Sequence, residues 1–138
     1  METPTTRIVL ADDHEVVRTG VRAMFEQQPG FAVCGVARNG QEVVDKVLEL
    51  KPDLVILDLS MPLLSGFQAA IKIRPLMPAI KIFILSIHDT PLLKQVAHLL
   101  NVDGYLPKTA TREEIIAAVN SVLERGISQP QRFPRRLP

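Results

Sequence analysis

The sequence of 138 residues predicts an α/β fold, a doubly wound three-layer sandwich with helices on both faces of a parallel sheet. Short apolar runs alternate with helical patterns five times within about 120 residues. The runs are continuous rather than alternating, as expected for strands covered on both faces. Strand–helix alternation of this kind argues for a parallel sheet, and its crossovers are right-handed by strong preference.

The elements follow in order. "RIVLA" (7–11) is the first strand. Residues 14–27 place Val17, Val21, Met24 and Phe25 on one helical face. "FAVCGVA" (31–37) is the second strand, and Asn39 with Glu42 three residues on forms an N-terminal cap pair. The helix it opens carries Val43, Val44, Val47 and Leu48 on one stripe. "DLVIL" (53–57) is the third strand, and the helix over 65–74 is expected to stop at Pro75. "KIFIL" (81–85) is the fourth strand. Thr90-Pro91 starts a helix lined by Leu92, Leu93, Val96, Ala97, Leu99 and Leu100, with Asn101 as a left-handed cap. "GYL" (104–106) is a short fifth strand. Thr111 and Glu114 form a capping box for a last helix striped by Ile115, Ile116, Val119, Val122 and Leu123 and ending at Gly126.

The length suits one domain over residues 6–125, and 46% apolar residues suffice for its core. Residues 127–138, "ISQPQRFPRRLP", hold three prolines and no periodic pattern, so 126–138 read as a linker or frayed tail. The net charge is +1; without Arg132, Arg135 and Arg136 of the last thirteen residues it is −2, far from the basic footprint of a nucleic-acid binder. The single cysteine, Cys34, excludes an internal disulfide and reads as a small buried apolar residue. The amino terminus has no signal-peptide pattern, and no apolar run approaches a bilayer span, so a cytoplasmic protein without membrane partners is the default.

In an open parallel sheet, ligands bind beyond the carboxyl ends of the strands. Those ends deliver Asp12 and Asp13, then Asp58, Ser86 and Lys108. If the first and third strands are neighbours, three carboxylates converge and repel unless a cation sits among them. Hard oxygen donors at an open site suit Mg²⁺. A metal, the Lys108 ammonium and the Ser86 hydroxyl around Asp58 make a cradle for a phosphoryl group, and Asp58 can be its nucleophile. Taken singly, each group has a plainer role: Asp13 can cap a helix, Ser86 can open a turn and Lys108 can be a solvated lysine. Asp53, Asp89 and Asp103 read as turn or cap residues. His14, His88 and His98 show no metal-ligand spacing, although His88 could border the site.

With "ADDH" (11–14), "DLVILDLSMPLLSG" (53–66), "ILSIHD" (84–89) and "DGYLPK" (103–108), residues 6–125 resemble a bacterial response-regulator receiver domain, most closely of the NarL/FixJ type. The resemblance implies a flavodoxin-like (βα)5 sandwich of sheet order 2-1-3-4-5. It implies that Asp58 accepts phosphate from a histidine kinase, and that Asp12, Asp13 and Asp58 hold Mg²⁺ with the Ser60 backbone carbonyl. Ser86 and Lys108 would bind the phosphoryl oxygens, and Tyr105 would change rotamer as Ser86 moves. Such a domain is a self-phosphorylating switch rather than an enzyme that turns over a metabolite. Phosphorylation is expected to favour a homodimer, motivated here by leucines on the fourth helix beyond what one buried face needs.

Some positions depart from the family pattern. Ser65 stands where an acid is common, Asn101 where glycine is frequent, and Thr109 follows Lys108 where proline is usual, so a cis bond there is not implied. The NarL/FixJ type carries a helix-turn-helix domain after the receiver, and no such pattern follows residue 126. DNA would therefore be reached only through a missing carboxyl-terminal domain, and a receiver cut from a longer regulator is favoured over a stand-alone receiver acting by protein–protein interaction. A haloacid-dehalogenase-type phosphohydrolase would place a second acid where Ser60 stands. A flavodoxin-like mononucleotide binder would want a phosphate-cradling loop where Asp12 and Asp13 stand.

Overall fold

The computed structural model describes residues 5–59, 61, 65–87 and 91–125. The elements are β1 (Thr6–Ala11), α1 (Glu15–Glu26), β2 (Phe31–Ala37), α2 (Gly40–Leu50), β3 (Leu54–Asp58), α3 (Gly66–Leu76), β4 (Lys81–Ser86), α4 (Pro91–Leu99), β5 (Gly104–Pro107) and α5 (Arg112–Glu124). All strand pairs are parallel, in the order β2-β1-β3-β4-β5. The flavodoxin-like sheet order expected from the sequence is therefore the observed one.

Successive side chains of a strand point to opposite faces, and here both faces are dry. Ile8, Leu10, Leu54, Ile56, Phe83 and Leu85 join Phe25, Ile115, Val119 and Val122 in a core against α1 and α5. Val9, Ala11, Val55, Leu57, Ile82 and Ile84 join Val43, Val47, Ala69, Ile73 and Ala97 in a second core against α2, α3 and α4. Every residue of β3 and β4 is buried, which is why those segments read as unbroken apolar runs. Cys34 is half-buried, at a bulge where β2 gains one residue between the pairs Ile8–Val33 and Val9–Gly35.

The helix ends match their sequence signals with instructive exceptions. Asn39 accepts the Glu42 N–H at 2.8 Å, but the Glu42 carboxylate returns to the N–H of Arg38, also at 2.8 Å, rather than to Asn39. That backbone bond, with the Arg38 guanidinium beside it, holds the Glu42 carboxyl below its usual range. The Thr111–Glu114 capping box forms as expected. Asn101 is left-handed at φ 57°, with Val102 N–H bonded to the Ala97 carbonyl and Asn101 N–H to that of His98. Lys51 takes the same conformation after α2, at φ 49°.

Pro75 does not stop α3, which continues to Leu76. Pro75 has no N–H to offer the Ile71 carbonyl, but the helix runs only one residue beyond it, so a single ladder bond is lost. Met77 N–H still reaches the Ile73 carbonyl at 2.9 Å, and the Arg74 guanidinium donates to the carbonyls of Pro78 and Ile80 at 3.0 and 2.8 Å. The expectations for residues 126–138, for His88, Asp89 and Thr90, and for the side chains of Leu92, Leu93 and Val96 lie outside the described residues.

Asp103 departs furthest from its sequence reading. It stands at the bend just before β5, but it is 1% exposed and does more than turn the chain. Its carboxylate accepts the Ile82 N–H at 2.8 Å and Arg74 Nη2 at 3.0 Å, with Lys81 Nζ at 4.0 Å. Arg125, the C-cap of α5, closes the group by donating to the Asp103 carbonyl at 3.0 Å. A buried carboxylate is tolerated only when paired and hydrogen-bonded, and removing it strands its partners. Asp103→Ala is expected to lower the stability measured by urea unfolding by about 3 kcal/mol; a loss well below 1 kcal/mol would show that the network is dispensable.

Candidate functional site

The carboxyl ends of β1, β3, β4 and the segment after β5 bring the expected residues together. Asp12 follows β1, and its N–H donates to the Ala37 carbonyl of β2 at 3.1 Å. Asp58 is the last residue of β3, in register with Leu85 of β4. Ser86 ends β4, and its carbonyl accepts the Lys108 N–H at 2.7 Å. Asp12, Asp58 and Ser86 are buried, whereas Asp13 is exposed.

Lys108 connects them. Its ammonium lies 2.7 Å from Asp12 Oδ2 and 3.2 Å from Asp58 Oδ2. Burial by itself pushes the Lys108 pKa down, but the hydrogen bond to Asp12 and the charges of Asp58 and Asp12 outweigh it and raise the pKa above the ordinary 10.5. Three carboxylates and one ammonium leave two formal negative charges, in a set of hard oxygen atoms. Ligand atoms of Asp12, Asp13, His14 and Asp58 all lie within 4.8 Å of one another. The charge, donor chemistry and spacing fit a divalent cation such as Mg²⁺.

Gly66 fixes the floor of this site. A Cβ at this position would overlap the Asp58 carbonyl oxygen and lie 2.8 Å from Leu59 Cα. The Gly66 N–H bonds back to the Leu59 carbonyl at 3.1 Å. Ser65 caps α3 there in a full capping box with Gln68, a role hidden while that position was read only as a missing acid; the spacing Ser-x-x-Gln was the available signal.

Tyr105 sits on β5 opposite Ile84, half-buried against the core that faces α2, α3 and α4. Ser60 lies outside the described residues. His14 is the residue that the spacing of histidines missed. Its Nδ1 lies 3.1 Å from Asp13 Oδ1 and 3.4 Å from Asp12 Oδ1, and its backbone N–H donates to Asp12 Oδ1 at 2.8 Å. Its signal was direct adjacency to two acids rather than separation from another histidine.

Comparisons with known proteins show what the chain is similar to. The family model described as "Response regulator receiver domain" matches residues 8–120. The oxygen regulatory protein NreC of Staphylococcus epidermidis is 41% identical over 121 residues, which cover 86% of this chain and 55% of NreC. The transcriptional regulatory protein LnrK of Bacillus subtilis is 32% identical over 124 residues, covering 90% of this chain and 56% of LnrK. The chain thus spans about half the length of these curated relatives. Among solved structures, the receiver domain of the NarL regulator from Mycobacterium tuberculosis aligns with a TM-score of 0.83 at 30% identity, covering 88% of this chain and 98% of that domain.

The site carries two physical expectations. Gly66→Ala should lower stability by about 1–3 kcal/mol through overpacking against Asp58, as read by urea unfolding; a variant as stable as the parent would show that the close approach is not needed. The Lys108 pKa is raised on folding, so its contribution to stability is full below 10.5 and fades as pH rises through the higher folded value. Melting temperatures of the parent and Lys108→Met should therefore differ at pH 8, with a gap that begins to narrow only once pH passes about 10.5 and closes beyond the folded value; a gap that is constant or grows would contradict the pairing.

Proposed function

The chain belongs to the response-regulator receiver family, and we propose that within it the chain acts as a phosphorylation-controlled switch with Asp58 as the phosphoacceptor. The receiver is of the NarL type found in two-component response regulators. The observation that carries the proposal is Asp58 itself: a buried carboxylate ending β3, with an ammonium at 3.2 Å and two further acids beside it.

In this reading residues 6–125 form the receiver, and a histidine kinase is the donor. An Asp58 carboxylate oxygen attacks the phosphorus of the kinase's phosphohistidine. The P–O bond forms as the P–N bond breaks, and the departing imidazole nitrogen keeps the electron pair. Lys108 moves from sharing two carboxylates to meeting the phosphoryl oxygens, and Ser86 offers them a hydroxyl. Asp12, Asp13 and Asp58 would hold Mg²⁺, with the Ser60 carbonyl as a further ligand, and the ion would neutralise the charge gathered there.

Ser86 and Tyr105 then carry the change outward, along β4 and β5, to the surface of α4 and α5. Leu99, 81% exposed on α4, gives that surface an apolar element consistent with a phosphorylation-favoured homodimer. The output proposed is transcriptional, through a DNA-binding helix-turn-helix domain outside the sequence in hand, in keeping with the regulatory names of the relatives. No helix among the described residues is long and apolar enough to cross a membrane, and a cytoplasmic location is proposed with the function.

Incubation with a small phosphodonor and Mg²⁺ should add one phosphoryl group by intact mass. Asp58→Asn should abolish the gain, Ser86→Ala should slow it, and sedimentation of the phosphorylated chain should shift toward dimer. A gain that survives Asp58→Asn unchanged would remove the assignment.

A further inference from the structure

We infer that His14 is a ligand-side residue of the acidic site, and that its imidazole shifts the site's preference from Mg²⁺ toward divalent ions that accept nitrogen, such as Co²⁺. The inference rests on the reading that Asp12, Asp13 and Asp58 hold a divalent cation.

Spacing is the first support. Around an octahedral ion with bonds of about 2.1 Å, adjacent donors lie about 3.0 Å apart. His14 Nδ1 lies 3.1 Å from Asp13 Oδ1 and 3.4 Å from Asp12 Oδ1, close to the separation of adjacent ligands. Position is the second. His14 occupies the N-cap of α1, yet its side chain makes no cap hydrogen bond. Its backbone N–H is instead pinned to Asp12 Oδ1, so the chain holds the residue against the site. The imidazole is 61% exposed and therefore open to an ion arriving from solvent.

Ligand chemistry supplies the direction. Carboxylate, carbonyl and water ligands suit Mg²⁺, whereas imidazole adds affinity for later divalent ions such as Co²⁺ and Ni²⁺. A neutral imidazole has one nitrogen to accept a metal and one to donate a proton, and the two tautomers give His14 two different roles. If it only donates Nδ1–H to Asp13, it orients the carboxylate and strengthens both ions alike. If it ligates, it favours Co²⁺ alone.

That difference is the test. The full chain is loaded with Co²⁺ and titrated with Mg²⁺, and displacement is read from the visible absorption of the bound Co²⁺. In His14→Ala, and again in His14→Asn, the Mg²⁺ concentration that displaces half the Co²⁺ should fall about tenfold or more. A midpoint unchanged in both variants overturns the inference and leaves His14 a hydrogen-bond partner only. Calorimetry separates this from failure of the underlying reading. If neither ion binds the parent chain, or if binding is untouched by Asp58→Asn, the cation site itself is wrong and the preference falls with it.

Discussion

Lys108 spans Asp12 and Asp58, and the charge balance of the whole site turns on that bridge. The two carboxylates come from adjacent strands, β1 and β3, and would repel without it. One ammonium cannot satisfy three acids, so the site retains negative charge and is set for a cation. Lys108 itself is placed by its N–H bond to the Ser86 carbonyl, which ties the bridge to the end of β4. The residue that holds the acids together is thus fastened to the residue proposed to move.

The molecule has two polar poles with opposite characters. At the carboxyl ends of the strands, charge is incompletely balanced and partly open, since Asp13 and His14 face solvent. At the amino ends of β4 and β5, Asp103 is buried among Arg74, Lys81 and the Ile82 N–H. The first arrangement suits a site where charge changes hands. The second suits an anchor, because Arg74 of α3 and Arg125, the C-cap of α5, both bond Asp103 there. A switch at one pole needs a frame that holds still at the other.

Much of this was legible in sequence, for physical reasons. Unbroken apolar runs report burial on both faces, so β3 and β4 announced themselves, and the groups just past the strands fell on one edge of the sheet. The Asn39 and Thr111 caps were visible because the donor and acceptor are three residues apart. Asp103 was hidden because its partners Arg74 and Lys81 are 29 and 22 residues away in the chain, a pairing that only the fold creates. Pro75 marked the end only to within a residue, because its ring acts on the turn before it and leaves Leu76 free to follow in helical conformation. Lys51 shows that a left-handed cap can be held by tertiary contacts without glycine: Arg7 Nη1 donates to the Leu50 and Lys51 carbonyls at 2.7 and 3.1 Å.

The bulge at Cys34 has a consequence beyond local geometry. β2 is an edge strand, and a regular edge is a template on which another chain can add a strand. An extra residue breaks the repeat that an incoming strand would need to follow. The opposite edge, β5, is only four residues long and contains Pro107, which has no N–H to offer. Both margins of the sheet are therefore poor seeds for strand addition and for the aggregation that follows it. The association proposed above for the phosphorylated chain would then fall to the helical surfaces rather than to the sheet margins.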